Sequence, residues 1–588
     1  MTTDHPAALW TTTHPRPATD TPRTWFDVRI PLRDGVTLSA DVTRPEAAGP
    51  VPAIVVRTPY NKSLAPLDAT HYFAARGYAY VLVDVRGRGD SDGVFMPYRN
   101  DGTDGYDVIE WVAAQPWCDG RVGTRGGSYL GRIQWLTALT HPPHLRAMCV
   151  EVTPSDPFVE VPTGAAGGPM HLAWIHLVSG RLRQNPDAVD WARVYEHLPL
   201  LTMDEAAGRV SPLWRADLAH PTADAYWQAI SYQTRFAEID LPVLHISGWY
   251  DDEQIGTPNN FAGMVTRGAT EPARRSQKLL MGPWTHAVNT DSKLGEVDFG
   301  PGAIIDLNAY QVRWFDHWLR GQDTGLLDEP PARLFLMGAN RWIDADGWPP
   351  AAAVATPYYL HSGGRANSSY GDGILSPEPP GAEPADSYRY DPARPVPFIT
   401  EPTSAQIGGP DDYAAVERRD DVLVYTSPPL AGDLTVIGPV RLELFAASSA
   451  PDTDFMAKLI DLHPTGFAQR LCDGMVRARY RRGFTADAVA PLTPGESAAF
   501  TIDLWHTAHV FKAGHRLRLE IASSAFPKYD RHRNLFDDLA TGTEMAPADQ
   551  HVYHDEARWS HLMLYVMPAA GGAPPAAGAP ETVEQDPA

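Results

Sequence analysis

Runs of strand-forming residues alternate with helical stretches over residues 53–152, and this alternation dictates the architecture of the first part of the chain. The runs are almost continuously apolar, and Asp104–Ala114 and Tyr129–Leu139 between them have helical periodicity. Strands without a polar face must be covered on both sides, and strands joined through helices run parallel. We therefore expect an α/β fold on a parallel sheet, with strands at Ala53–Arg57, Ala79–Val85, Gly120–Gly126 and Ala147–Val152.

The flanking sequence predicts further elements of the same fold. A hairpin of Phe26–Ile30 and Thr37–Val42 turns at Asp34-Gly35. Strands return at Val243–Ser247 and Lys278–Gly282. The last predicted helix, Asn308–Leu319, has its C-cap at Gly321.

Two regions depart from the alternation. Between Pro154 and Asp240 strand runs are absent, and helical periodicity over 186–198 and 222–230 predicts a helical insertion, with Asn185 as an N-cap before Pro186. After Pro330, short alternating segments separated by turn residues predict an antiparallel sandwich or jelly roll. These segments are Ala332–Met337, Leu423–Thr426, Leu434–Phe445, Phe455–Leu462, Phe500–Leu504 and Arg516–Ser523.

We therefore predict three structural parts between two disordered ends. The parts are an α/β core at 25–153 and 241–325, an inserted helical cap at 154–240, and a C-terminal jelly-roll β-sandwich at 326–567. Residues 1–24 are predicted to be a flexible arm. Residues 568–588 are rich in Ala, Pro and Gly, and predict a disordered tail.

Composition excludes several functions. The net charge of −23 argues against nucleic acid or an anionic membrane as a partner, because both require a basic surface. The three cysteines are too widely spaced for a disulfide framework or a thiolate zinc site. No apolar run reaches 18 residues, and the polar N-terminus lacks a secretory signal, so we expect a cytoplasmic protein. Assembly into a homo-oligomer stays an open alternative.

The central chemical signal is Gly126-Gly127-Ser128-Tyr129-Leu130-Gly131, between a predicted strand and a predicted helix. Such a turn is a nucleophile elbow, in which small residues let the backbone turn sharply and expose the Ser128 hydroxyl at the helix N-terminus. The Tyr129 amide would then face an oxyanion. The second small residue, Gly131, lies one position later than the usual Gly-x-Ser-x-Gly pattern requires.

A serine nucleophile needs a base and a group that orients the base. In α/β-hydrolases these follow the serine in the order acid, then histidine, each after a strand. Asp251 follows the strand Val243–Ser247, and His286 follows Lys278–Gly282. Asp252 and Glu253 compete with Asp251 for the role of the acid. Trp249 and Trp284 lie in the same two loops, as expected of pocket walls.

The second oxyanion donor is expected from the loop Arg57–Lys62, which lacks an HGGG run. The Tyr60 hydroxyl can serve there, or Tyr60 can simply pack on the sheet. The residues alone do not decide between the two.

At these residues the sequence resembles the cocaine esterase and X-prolyl dipeptidyl-peptidase family (CocE/NonD) of serine hydrolases. The resemblance spans about Trp25 to Pro568. It includes Arg57–Tyr60, Asp84–Gly93, Gly126–Gly131, Gly248–Asp251, Gly282–His286, Trp314–Gly321, Ser449–Phe455 and Ser523–Asp530. The family's own elbow pattern, G-x-S-Y-x-G, has the displaced glycine seen here.

This resemblance implies an α/β-hydrolase core with a helical cap and a C-terminal jelly roll. It also implies that Ser128 is the nucleophile, Asp251 the acid and His286 the base, with the Tyr60 hydroxyl and the Tyr129 amide as oxyanion hole. An ester or amide would be cleaved through an acyl-serine intermediate. No metal and no organic cofactor is expected, and Asp84–Gly93 is expected to be structural.

Three branches of the family compete for the substrate: cocaine-esterase-like esterases, α-amino-acid ester hydrolases (including β-lactam acylases) and X-Pro peptidases. The second branch binds an α-ammonium with a carboxylate cluster. Glu253 falls where that branch has one acidic ligand, Gln254 replaces the next, and the third is missing near Pro162, although Asp156 and Glu160 lie close by.

We favour the esterase branch, acting on a small-molecule ester or amide. Glu253, Trp249, Trp284 and Trp174 are the candidate pocket residues, with Met170 and His171 beside the last. Two other classes stay open on the same fold: an acyltransferase, and a non-catalytic binding protein that keeps the hydrolase core.

Overall fold

The computed structural model describes residues 16–46, 49–65, 67–164, 168–400 and 408–568. Residues 1–15 of the predicted arm and residues 569–588 of the predicted tail lie outside these ranges.

A ten-stranded mixed sheet forms the centre of the first part, in the order β1-β2-β4-β3-β5-β6-β7-β8-β11-β12. The seven strands from β4 to β11 in this order run parallel, and the strands at both ends of the sheet pair antiparallel. The strands are β1 (Pro22–Pro31), β2 (Thr37–Pro45), β3 (Val51–Thr58), β4 (Ala79–Asp84), β5 (Cys118–Gly127), β6 (Leu145–Glu151), β7 (Val243–Gly248), β8 (Lys278–Gly282), β11 (Ala332–Leu336) and β12 (Arg341–Ala345). A small separate hairpin consists of β9 (Lys293–Leu294) and β10 (Val297–Asp298).

Helices cover both faces of this sheet, because its central strands are buried along their whole length. Two apolar clusters share the strands of the sheet but use different residues of them. One cluster contains Val108 and Trp135, and the other contains Phe73 and Phe315. The α-helices of this part are Leu67–Ala74, Asp101–Ala113, Tyr129–Ala138, Gly256–Arg267, Glu271–Arg275 and Leu307–Arg320. Gly321 caps the last of them in the left-handed conformation, as predicted.

The described residues between β6 and β7 contain helices and no strand. The α-helices are His171–Leu177, Trp191–Tyr195, Met203–Ala206, Pro212–Leu218 and Ala225–Gln228, with 3-10 turns at Pro186–Ala188, Leu200–Thr202 and Gln233–Glu238. They are shorter than predicted. The helix expected over 186–198 is interrupted because Val189 is extended and Asp190 starts a new helix by accepting a bond from the Arg193 amide.

The C-terminal part is all-β. Its strands are β13 (Val354–His361), β14 (Ile374–Ser376), β15 (Asp386–Tyr390), β16 (Leu423–Thr426), β17 (Leu434–Ser448), β18 (Asp454–Leu462), β19 (Ala468–Arg477), β20 (Ala498–Phe511), β21 (Arg516–Ala522), β22 (Ala548–Asp555), β23 (Arg558–Trp559) and β24 (His561–Val566). Alternating inward residues of these strands form one large core that includes Leu442, Leu459 and Leu519. The predicted fold class, an α/β core followed by an all-β domain, is confirmed.

Two predicted boundaries differ from the structure. The sequence pattern predicts that Ala332–Met337 belongs to the sandwich, but its strand β11 extends the first sheet, since it pairs in parallel with β8. Its Leu334 and Phe335 are fully buried in the core of that sheet, which explains why the strand joins it. At the other end, β1 begins at Pro22, inside the predicted arm, and Arg16 donates to Asp316 at 3.0 Å.

No helix in the described part of the chain is long and apolar enough to cross a membrane.

A buried arginine joins the all-β part to the helical segment. Arg477 is completely buried, and its guanidinium donates to both oxygens of Asp454 at 2.9 Å and to Asp530 at 3.0 Å. Its Nη1 also donates to the Thr163 carbonyl at 2.7 Å, beyond β6. One charged group thus ties two strands of the β-domain to the chain that enters the cap.

Replacing Arg477 by alanine should destabilise the protein by about 3–5 kcal/mol, because Asp454 and Asp530 would stay buried without their partner. Urea unfolding followed by tryptophan fluorescence measures this. Arg389, whose pair with Asp549 is exposed, is the matched control, and its alanine variant should change stability by less than about 1 kcal/mol. Equal stability of the two variants would contradict the role given to Arg477.

Candidate active site

The predicted elbow is present, and its backbone shows why the surrounding residues are small. Ser128 has φ 58° and ψ −129°, a conformation that non-glycine residues rarely adopt, and it caps the helix Tyr129–Ala138. Its amide donates to the carbonyls of Glu151 and Val152 at 3.0 and 2.9 Å. These two bonds hold the turn against the end of β6.

Three glycines leave the space that this turn needs. A Cβ on Gly126 would lie 2.6 Å from Leu130 Cβ, and one on Gly127 would lie 2.9 Å from Val152. A Cβ on Gly131 would lie 2.4 Å from the Thr153 hydroxyl and 3.0 Å from the Glu151 carbonyl. The displaced glycine is therefore explained: position 131 packs against the chain after β6, and Leu130 lies over Gly126.

The predicted acid and histidine meet at the carboxyl ends of β7 and β8. His286 Nδ1 lies 2.8 Å from Asp251 Oδ1 in a hydrogen bond. The other carboxylate oxygen of Asp251 accepts the Ser247 hydroxyl at 2.7 Å, and Oδ1 also accepts the Glu253 amide at 3.1 Å. Asp251 is thus buried, and hydrogen bonds hold both of its carboxylate oxygens in place. This is what a carboxylate that orients a histidine requires.

Asp252 and Glu253, the competing acids, lie farther from the same nitrogen. Asp252 Oδ1 is 3.1 Å from His286 Nδ1 and Glu253 Oε2 is 4.0 Å away. Both oxygens are buried, and neither makes a hydrogen bond to any described residue. The geometry therefore favours Asp251 as the orienting group and leaves the other two carboxylates facing the cavity.

Ser128, Tyr60 and His286 open into one cavity of about 550 Å³. All three parts of the molecule contribute to its walls. The helical segment supplies Trp174, Met170 and His171, and the β-domain supplies Trp505, Lys528 and Tyr529. A site of this size and composition fits a drug-sized organic molecule.

The two predicted oxyanion donors are arranged differently. The Tyr129 hydroxyl donates to Asp101 at 2.6 Å, away from the cavity, so only its main-chain amide is positioned beside Ser128. The Tyr60 hydroxyl lines the cavity and accepts the Trp174 indole N–H at 3.0 Å. A hydroxyl that accepts this bond keeps its own proton free to donate.

The Asp84–Gly93 motif fixes the Tyr60 loop. Arg88 Nε donates to the Pro59 carbonyl at 2.7 Å, and the Lys62 amide donates to Asp84 Oδ1 at 2.7 Å. The residues on either side of Tyr60 are thus bonded to this motif, which gives it the structural role that the resemblance implied.

The structure corrects two of the four predicted pocket residues. Trp249 and Trp284 are 3% and 1% exposed and do not line the cavity beside Ser128. Their indole N–H groups donate to the carbonyls of Phe335 and Ala303, at 2.8 and 2.9 Å, so both rings belong to the core around β8 and β11. Trp174 and Glu253 do line the cavity.

Sequence reasoning did not assign the other charged residues of the cavity. Glu160, Asp252, Arg132 and Lys528 all line it. The resemblance places Glu160 only close to the missing acidic position near Pro162. Lys528 lies in the Ser523–Asp530 segment of the resemblance, but local sequence does not place it at the site, because it reaches the cavity from the distant β-domain, where its Nζ donates to Asp473 at 2.5 Å.

These buried carboxylates change each other's protonation. Burial and, to a smaller extent, the nearby charge of Asp252 raise the pKa of Glu160 to about 8. Burial also raises the pKa of Glu253 well above its ordinary value. Burial alone would lower the pKa of His286, but the charges of Asp252, Glu253 and Asp251 outweigh it, so that pKa is raised. The imidazolium form of His286 is therefore strongly stabilised.

Asp251, Asp252 and His286 also place three potential metal-ligand atoms within 4.8 Å of one another. Both carboxylates approach the same nitrogen of His286, however, at 2.8 and 3.1 Å, and the predicted roles of Asp251 and His286 require no ion there.

Comparisons with known proteins identify relatives of both parts of the chain. Residues 34–288 match the X-Pro dipeptidyl-peptidase (S15 family) model, and residues 324–563 match the X-Pro dipeptidyl-peptidase C-terminal non-catalytic domain. The chain is 36% identical to the cocaine esterase of Rhodococcus sp. (strain MB1 Bresler) over 575 residues, which cover 92% of this chain and 98% of that protein.

Two solved structures share the whole architecture. An α-amino acid ester hydrolase is 27% identical with a TM-score of 0.82 and covers 93% of this chain and 97% of that one. An aminopeptidase from a marine sediment archaeon, Thaumarchaeota archaeon, is 27% identical with a TM-score of 0.80, covering 94% and 97%. Since the likeness includes the elbow, both later strands and the all-β domain, the chain belongs to the cocaine esterase and X-Pro dipeptidyl-peptidase (CocE/NonD) family of serine hydrolases.

Proposed function

We propose that this hydrolase cleaves a small carboxylic ester through an acyl intermediate on Ser128. The observation that carries the proposal is the Asp251–His286 hydrogen bond beside the cavity that Ser128 and His286 both line. Asp251 holds Nδ1 of His286 in its protonated form, which leaves Nε2 as the base. His286 takes the Ser128 proton as the hydroxyl oxygen attacks the carbonyl carbon.

The negative charge that develops on the carbonyl oxygen needs donors already in place. The Tyr129 amide at the helix N-terminus and the Tyr60 hydroxyl supply two. Burial raises the pKa of Tyr60, so its hydroxyl stays protonated at neutral pH and donates a neutral hydrogen bond. His286 then gives its proton to the leaving alcohol, and a water activated by the same imidazole releases the acid and frees Ser128.

The acyl side of the cavity favours a cationic group. Glu160 and Glu253 are buried there near Asp252, and their raised pKa values show that an isolated negative charge is unfavourable in this place. An ammonium group would compensate these charges and displace their protons. We therefore propose α-amino esters as preferred substrates. This arrangement also supports a second function, cleavage of amides at a free amino terminus.

The nucleophile is tested directly by a fluorophosphonate probe and by Ser128→Ala. The probe should label wild-type protein at Ser128 in a peptide digest, and the alanine variant should lose about 10⁶-fold in kcat for a p-nitrophenyl ester. Ser247→Ala, which removes the hydroxyl that donates to Asp251, is the control and should keep the labelling. Absence of labelling in folded wild-type protein would support a non-catalytic role instead.

Replacing Tyr60 by phenylalanine should lower kcat by about 10²–10³-fold, because the transition state would lose one oxyanion donor. KM should change little. Tyr529→Phe is the matched control, since its hydroxyl also belongs to a buried tyrosine of the cavity wall. Steady-state kinetics on one ester decides the matter, and equal losses in the two variants would refute the oxyanion role of Tyr60.

Asparagine variants distinguish the roles of the two aspartates beside His286. Asp251→Asn should lower kcat by about 10⁴-fold, because the amide stabilises the wrong tautomer. Asp252→Asn should retain most activity but shift the acid limb of the kcat/KM profile to lower pH. A carboxylate near the ring stabilises imidazolium, so removing one lowers the pKa of His286. The reverse ranking would assign Asp252 as the acid.

The proposed cationic preference is tested with phenylglycine methyl ester and phenylacetate methyl ester. The ratio of their kcat/KM values should favour the amine in wild-type protein and fall about tenfold or more in Glu160→Gln and Glu253→Gln, which remove a charged partner. Glu238→Gln, an exposed glutamate paired with Arg235, is the control. Equal ratios in the wild-type protein and the three variants would mean that the enzyme is an esterase without a preference for cationic substrates.

A further inference from the structure

A cluster of histidines surrounds one aspartate in the β-domain, on residues that the proposed reaction does not use. Asp461 lies near the end of β18, His463 follows that strand, and His515 precedes β21. Leu462 pairs with Arg516 across the two antiparallel strands, so the next step of the register brings His463 opposite His515. The pairing of β18 with β21 thus creates the cluster.

The ligand atoms of these three residues converge. His515 Nδ1 is 2.9 Å from Asp461 Oδ1 and 3.1 Å from Oδ2, and His463 Nε2 is 3.7 Å from Oδ2. All three ligand atoms lie within 4.8 Å of one another. Ligand atoms of a tetrahedral zinc ion are about 3.4 Å apart, for bonds of about 2.1 Å. The separations from Asp461 Oδ2 to the two nitrogens bracket that value.

The two imidazole rings of the cluster lie close together. The rings of His463 and His515 are 4.4 Å apart between centroids, so two imidazolium ions would repel each other there. Neutral imidazole and an ionised carboxylate are the donor set that zinc prefers.

A fourth side chain orients the carboxylate. His509 is 2% exposed on its side chain, and its Nε2 lies 2.9 Å from Asp461 Oδ2. Metal-bound carboxylates are commonly held in this way by a second layer of hydrogen bonds. His463 and His515 keep 27% and 16% of their side-chain surface exposed, which leaves a path from solvent and an open position for water.

We propose that Asp461, His463 and His515 bind one divalent transition-metal ion of the zinc type, with His509 positioning the carboxylate. Local sequence patterns do not indicate this site, because its ligands lie at the ends of two paired strands, with Asp461 and His515 54 positions apart in the chain. His463 Nε2 also lies 3.1 Å from Gln469 Oε1, a contact that the ion would replace. Gln469 in turn donates to the Tyr250 hydroxyl at 3.0 Å, beside Asp251. The ion would thus bind in the β-domain, one side chain away from the loop that carries Asp251.

The test is Zn²⁺ titration of chelator-treated, full-length protein against a chromophoric competitor. His286→Ala serves as the background, because it removes the other group of three ligands at the catalytic site. One equivalent of Zn²⁺ should bind in this background. His463→Ala and His515→Ala added to it should weaken binding by more than about 100-fold, and His509→Gln by about 10–100-fold.

His551→Ala, a histidine of the same domain that bonds Ser387, is the matched control and should leave binding unchanged. Bound Zn²⁺ should also raise the melting temperature only where the site is intact. X-ray absorption of the zinc-loaded background protein should show two imidazole ligands, which tests the site without any change to it. The proposal is overturned if the His286→Ala protein binds no zinc, or if His463→Ala and His515→Ala bind it as tightly as before.

Discussion

The parallel pairing of β5, β6, β7 and β8 is the constraint on which the rest of the site depends. Parallel strands end at the same edge of a sheet, so residues that are far apart in the chain emerge side by side. Ser128 follows β5, Asp251 follows β7 and His286 follows β8. The turn at Ser128 is possible only because Gly126, Gly127 and Gly131 leave room for it.

Burying several carboxylates around His286 is energetically unfavourable, and the proposed cationic substrate would compensate for their charge. Asp252 and Glu253 each bury an oxygen that bonds to no described residue, and Glu160 has a pKa of about 8. Unpaired buried charges are strongly unfavourable in a protein interior. Under the proposed preference for α-amino esters, binding of the ammonium group would release protons from these carboxylates, which a purely apolar esterase pocket would not do.

The all-β domain completes this cavity instead of being a separate appendage. Lys528 and Trp505 belong to it and line the same space as Ser128. Gln254, three residues after Asp251, donates to the His506 carbonyl at 2.6 Å, and Arg477 anchors the chain that leads into the cap. The position of the cavity walls therefore depends on how the three parts pack.

The sequence by itself determined the fold class, the order of the elements and the placement of Ser128, Asp251 and His286 after their strands, because these follow from local periodicity and turn chemistry. The roles of the three residues stay predictions. Only the tertiary structure decided which side chains face the cavity. Trp249 and Trp284 turn into the core, β11 joins the first sheet, and Glu160 and Lys528 reach the site from distant segments. Asp461, His463 and His515 likewise meet only through strand pairing. Side-chain direction and contacts across long sequence separations depend on packing, which local sequence patterns do not encode.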